Sequence, residues 1–179
     1  MRLCTIVVTR DKSIHVRTLH TLIQINQSCM QNGVEQEISF VVEDDIMSTL
    51  YNKIKVSDRL LFLGYSVHVD HISLTKLMSP FDGYQCLVCP AVKEGVNWEM
   101  FKNKILSKST EPTEQMGLVF DTKLGIKRQD SLYTVRSTTP RVWSIDSKQV
   151  YKRLRSKKGE MSIPMNTNIF FEKLLNSNV

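Results

Sequence analysis

The sequence predicts an α/β domain with a mostly parallel central sheet and helices on both faces, of the Rossmann-like kind. Three observations predict it. Short apolar runs rich in β-branched residues alternate with stretches of helical periodicity through the first half of the chain. The runs are nearly continuous, as in strands buried on both faces. Each run ends in a polar cluster, where ligands of such sheets bind.

The elements follow in order. Residues 3–8 (Leu-Cys-Thr-Ile-Val-Val) form the first buried strand. Ser13 is the expected cap of a helix that carries Val16, Leu19, Leu22, Ile23 and Ile25 and stops at Asn32-Gly33. Residues 37–42 are the second strand, ending in Glu43-Asp44-Asp45. A short helix then places Ile46, Leu50 and Ile54 on one side. Residues 59–63 are the third strand, 73–78 a helix, 80–83 a Pro/Gly turn and 84–88 the fourth strand. Right-handed crossovers bring the ends of the first three strands to one sheet edge. Those ends carry Thr9-Arg10-Asp11, Glu43-Asp44-Asp45 and Gly64-Tyr65-Ser66.

Beyond Trp98 the pattern loosens. Residues 98–106 read as a helix, 107–114 as loop, and 118–120 and 132–135 as strands. Residues 147–154 read as a helix capped by Ser144 or Asp146, and 169–175 as a last helix. No repeat or linker interrupts the chain, so residues 1–179 are expected to be one domain.

The net charge of +6 is unevenly placed. From Lys123 to Lys158 eleven Lys or Arg stand against only Asp130 and Asp146. Such a block is a solvated face or a surface for phosphate, nucleic acid or an acidic partner. The nearby aromatics Tyr133, Trp143 and Tyr151 are few, and no RNP-like or helix-turn-helix pattern appears, which argues against a nucleic-acid module. No apolar run approaches the ~20 residues of a membrane span, and the start is too short for a signal peptide. A cytoplasmic protein is the expectation.

Several chemistries lack their motifs. There is no G-x-G-x-x-G, P-loop, G-x-S-x-G elbow or H-E-x-x-H. Cys86 and Cys89 form a C-x-x-C inside an apolar strand, so their side chains should point to opposite faces. Without a second Cys/His pair at zinc spacing, they read as buried free thiols. His68 and Asp70 would point the same way in an extended segment, but a metal there needs a further ligand.

The first 105 residues or so resemble the GT-A glycosyltransferases, in particular the small family-two type of large DNA viruses and some bacteria. The resemblance runs through residues 4–11, 38–44, 51–54, 58–63, 86–93 and 96–98. It implies that residues 1–105 are a nucleotide-binding half, with Thr9, Arg10 and Asp11 at the base and an acidic residue, Glu43 or Asp44, at the base or ribose. Of the family's Arg-Asn pair only Asn52 remains, after Tyr51. Residues 106–179 would be the acceptor side, with Lys93, Trp98, Arg136 and Arg141 as acceptor or phosphate contacts and residues 139–145 shaping the acceptor site.

The departure is at the metal. The family's Asp-x-Asp, which grips a divalent ion on the diphosphate, falls on Gly64-Tyr65-Ser66. No cofactor is therefore expected. Manganese or magnesium enters only in another register, with His68 and Asp70 as the place to look. No catalytic carboxylate is recognisable either, since Glu160 and Glu172 stand in no motif. Losing a metal that stabilises the transition state by several kcal/mol slows transfer by roughly a thousandfold or more. The expectation is a degenerate transferase-like protein that binds a ligand or serves a structural, virion-type assembly through an acidic partner. The alternative is a metal-independent transferase, with Tyr65, Ser66 and the basic block supplying what the metal does not.

Overall fold

The computed structural model describes residues 1–93, 95–129, 131–155 and 164–176. Strand β1 (Arg2–Val8) lies between β2 (Glu35–Val41) and β3 (Arg59–Leu63), all parallel. Strand β4 (Cys86–Val88) joins them through β7 (Val142–Asp146), which runs antiparallel to both β3 and β4. The order across the sheet is β2-β1-β3-β7-β4, so four of its five strands share one direction. A separate hairpin pairs β5 (Thr122–Gln129) with β6 (Leu132–Thr138).

The two faces of the sheet bury two cores, because strand side chains alternate. Cys4, Ile6 and Val8 of β1 face one core, with Phe62, Trp143 and Ile145. Helices α2 (Ile46–Ile54), α5 (Ser147–Leu154) and α6 (Thr167–Asn176) cover it with Leu50, Ile54, Val150, Phe170 and Phe171. Leu3 and Val7 face the other core, covered by α1 (Val16–Gln31) and α3 (His71–Met78) through Leu22, Ile25, Leu74 and Leu77. The mixed α/β architecture with helices on both faces agrees with the sequence pattern.

The largest correction concerns β7. The sequence reading has residues 139–145 as an acceptor wall, and the structure makes Val142–Asp146 a central strand, with residues 142–145 buried. A five-residue segment holding Trp and Ser shows no period of its own. Only its pairing with β3 and β4, 54 or more residues earlier in sequence, makes it a strand. The strand expected at 118–120 reduces to one bridge, Phe120 with Val92, and pairing begins at Thr122.

The helix starts shift for identifiable reasons. His15, not Ser13, caps α1: its Nδ1 accepts from Arg17 N at 3.2 Å, while the Ser13 hydroxyl donates to Arg10 O at 2.8 Å. The buried face of α1 is Thr18, Thr21, Leu22, Ile25 and Cys29, and Val16, Leu19 and Ile23 are exposed. Thr18 and Thr21 face inward because their hydroxyls accept from the Val67 and Val69 amides, at 3.2 and 3.1 Å. Asp70 caps α3, and Asp146 rather than Ser144 caps α5. Helix α4 (Trp98–Leu106), capped by Asn97, has no buried residue.

All four cysteines are free. Cys86 packs on one core and Cys89 on the other, as strand alternation requires. Burial pushes the Cys86 thiol up to about 12 and the Cys89 thiol up to about 11. Both stay protonated at neutral pH and are poor nucleophiles. No described helix is long and apolar enough to cross a membrane.

Candidate functional site

The carboxyl ends of β1, β2 and β3 border a cleft of about 680 Å³. Its floor is apolar and includes Val8 and Phe62. Its rim is charged. Of the residues singled out from sequence, Arg10, Glu43, Asp44, Tyr65, Lys93 and Arg141 all line it. They come from five places along the sheet edge. Glu43 and Asp44 follow β2, Arg10 follows β1, Tyr65 follows β3, Arg141 precedes β7 and Lys93 follows β4. The exposed acids Glu43 and Asp44 thus stand at one end, with Arg10 next to them, and Arg141 and Lys93 stand at the other.

Tyr65 joins the middle of this row. The Arg10 guanidinium lies 4.9 Å from the centre of its ring, and His15 meets the ring edge-on at 5.7 Å. Its carbonyl accepts from the Arg141 guanidinium. Arg10 also pairs with Glu43 at 3.7 Å, with both side chains largely in solvent. An exposed pair of this kind is worth at most about 1 kcal/mol, so an anionic ligand competes easily for Arg10.

The other sequence candidates do not line this cleft. The Thr9 hydroxyl donates to Val41 O at 3.0 Å, and Thr9 borders a neighbouring groove with Phe40 and Ser48. Asp11 sits in the left-handed region (φ 49) within the turn closed by Arg10 and Ser13. Ser66 is also left-handed (φ 62) and lies outside the lining. Asn52 is exposed on α2, Arg136 is exposed on β6, and Trp98 is exposed on α4 with an edge-on contact to Phe101.

Sequence reasoning missed Asp121. It is buried and lines the cleft. Its Oδ1 accepts from Ala91 N at 3.0 Å and from the Thr122 hydroxyl at 2.8 Å, and its Oδ2 accepts from Arg141 N at 3.2 Å. One carboxylate thus ties the segment after β4, the start of the hairpin and the approach to β7, and it sets where Arg141 stands. A lone acid between Phe120 and Thr122 carries no motif, so nothing local marks it. Asn166 and Thr167, at the start of α6, also reach the cleft from the far end of the chain.

Gly64 is sterically constrained. Gly64 N donates to Arg141 O at 2.7 Å. A Cβ on Gly64 would meet that carbonyl at 3.0 Å and the Arg141 Cβ at 3.2 Å. The backbone of β3 approaches the start of β7 so closely that a side chain there would require Arg141 to give by a few tenths of an ångström. Gly64→Asp is therefore expected to destabilise by about 1–3 kcal/mol, measured by urea denaturation, and to confer no stabilisation by manganese. Manganese-dependent stabilisation of that variant would contradict this packing account.

Asp70 uses its carboxylate to cap α3, accepting from Ser73 N at 3.0 Å, and does not join His68 in a ligand set. Among the described residues no three His, Cys, Asp or Glu gather as metal ligands. Glu160 lies outside the described residues, and Glu172 is exposed on α6.

No protein-family model, curated protein or solved structure matches the chain. Function is read from the cleft itself.

Proposed function

We propose that the chain is a GT-A-like domain that binds a nucleotide sugar, or a similar diphosphate ligand, without a metal and acts as a binding rather than a metal-dependent transferring component. The unlike ends of the cleft rim carry this reading. A nucleoside suits the acidic end, where Glu43 and Asp44 offer acceptors to base and ribose. A diphosphate suits the other end, where Arg141 and Lys93 offer cationic donors, with Arg10 standing between the two ends. Arg141 stands beside Gly64, where the resemblance would put a metal-binding carboxylate. The buried carboxylate Asp121 is engaged by three donors, which favours a structural role for it over proton abstraction.

Metal-independent transfer is the second reading. Asp44 favours it, as an exposed carboxylate on the cleft rim open to an acceptor hydroxyl.

Thermal-shift titration with UDP- and GDP-sugars, in manganese and in EDTA, tests the proposal. A rise in melting temperature of equal size in both is expected. Arg141→Ala and Arg10→Ala should each weaken binding by about tenfold or more, since a hydrogen bond to a charged group is worth about 1.5–3 kcal/mol. No shift with any nucleotide sugar at millimolar concentration overturns the reading. Turnover that disappears in Asp44→Asn would select the second reading over the first.

A further inference from the structure

The β5–β6 hairpin stands apart from the sheet and has no part in the cleft chemistry. Strand β6 packs on α6, whereas the main neighbour of β5 is β6. Aliphatic side chains are exposed along β5, Leu124 at 46% and Ile126 at 69%, and Tyr133 of β6 is exposed at 43%. Lys123, Lys127, Arg128 and Arg136 are exposed on the same two strands. Apolar side chains interleaved with cations are what a surface needs if it is to enter the headgroup region of an anionic bilayer.

The backbone around Ile126 fits that environment. Ile126 N donates to the Thr134 hydroxyl at 2.8 Å, and the same hydroxyl lies 3.4 Å from Ile126 O. Both backbone polar groups of the hairpin's most exposed aliphatic residue are thus met inside the hairpin, as burial away from water demands. Gly125 makes this possible, because a Cβ there would fall 2.4 Å from the Thr134 hydroxyl.

Other occupants fit less well. Register shifts between Lys123 and Leu124, Leu124 and Lys127, and Lys127 and Gln129 break the regular ladder. A bulged, cationic edge resists addition of a strand from a second copy. RNA would use the cations but gain little from Leu124 and Ile126, which can neither stack on bases nor hydrogen-bond to them.

We infer that the β5–β6 hairpin docks on anionic membrane surfaces, with Leu124, Ile126 and Tyr133 entering the interface and the flanking Lys and Arg meeting lipid phosphates. This is independent of what the cleft binds.

Flotation of the full chain with phosphatidylcholine vesicles, with and without phosphatidylserine, tests it. Binding to the phosphatidylserine vesicles is expected, weakening with salt. Ile126→Asp combined with Leu124→Asp should lower partition by about tenfold or more. Ile126→Ser alone, at a position mostly in solvent, should lower it less and leave the melting temperature unchanged. Lys123→Gln with Lys127→Gln should lower partition about tenfold on anionic vesicles only. No binding to anionic vesicles at low salt overturns the inference. So does binding that is indifferent to Leu124 and Ile126, or RNA binding in place of vesicle binding.

Discussion

Truncating Trp143 to alanine is expected to lower the free energy of unfolding by about 3–5 kcal/mol, the range for emptying a large aromatic site in a core. Trp143 is fully buried on β7. Its ring stacks on Phe62 at 5.0 Å and 9°, and meets Phe171 edge-on at 5.3 Å and Phe170 at 5.9 Å. Those rings belong to β3 and α6, so the cavity would open where the sheet meets its cover. Phe62 also floors the cleft, and loss of its stacking partner should loosen ligand binding as well. Trp143→Phe should cost less than half as much. It keeps the aromatic contact and removes an indole N–H that has no hydrogen-bond partner among the described residues. Chemical denaturation followed by circular dichroism measures both. Equal costs for the two variants would show that the ring contact retained by phenylalanine is not what holds this site.

Asp121→Ala is expected to cost about 2–5 kcal/mol. It leaves the amides of Ala91 and Arg141 without their acceptor in a buried place, while the Thr122 hydroxyl keeps only Thr138, at 2.7 Å. Asp121→Asn should also destabilise, by about 1–3 kcal/mol, because either orientation of the amide sets a donor against a backbone donor. The cleft should suffer in step, since Asp121 places Arg141. A loss of nucleotide-sugar affinity that tracks the loss of stability marks Asp121 as a positioning residue. An Asn variant of normal stability and affinity that had lost only turnover would instead identify a catalytic base.

The first half of the chain was largely legible. Residues 3–8 and 59–63 are strands whose apolar runs are buried on both sides, and sequence shows that directly. Residues 37–42, expected as a buried strand, instead fall on the edge strand β2 and the residue after it, where Ile38, Phe40 and Val42 are exposed because no strand pairs beyond them. Their boundaries move by one or two residues where a pairing partner extends them. The helix at 46–54 is where its apolar spacing puts it. Reading α1 was harder. Its aliphatics Val16, Leu19 and Ile23 carry the helical period, yet two threonines take inward places to hold the loop after β3. The cleft was half legible, since polar ends of parallel strands collect by topology. Trp98, Asn52 and Arg136 had no local mark to show that they lie outside the cleft lining, and Asp121 had none to show that it belongs there.

Sequence alone determined the alternation of buried strands and covering helices, the edge where the strand ends gather, and the absence of an acid pair at Gly64-Tyr65-Ser66. Those properties follow from local composition and chain direction. Tertiary structure alone decided that Val142–Asp146 enters the sheet antiparallel between β3 and β4, and so brings Arg141 beside Tyr65. It also decided that Gly64 is crowded, because the limit is a neighbouring backbone at 3.0 Å that lies far away in sequence. Strand pairing across such distances depends on which partners fill the remaining sheet edge, and no residue within the segment records that choice.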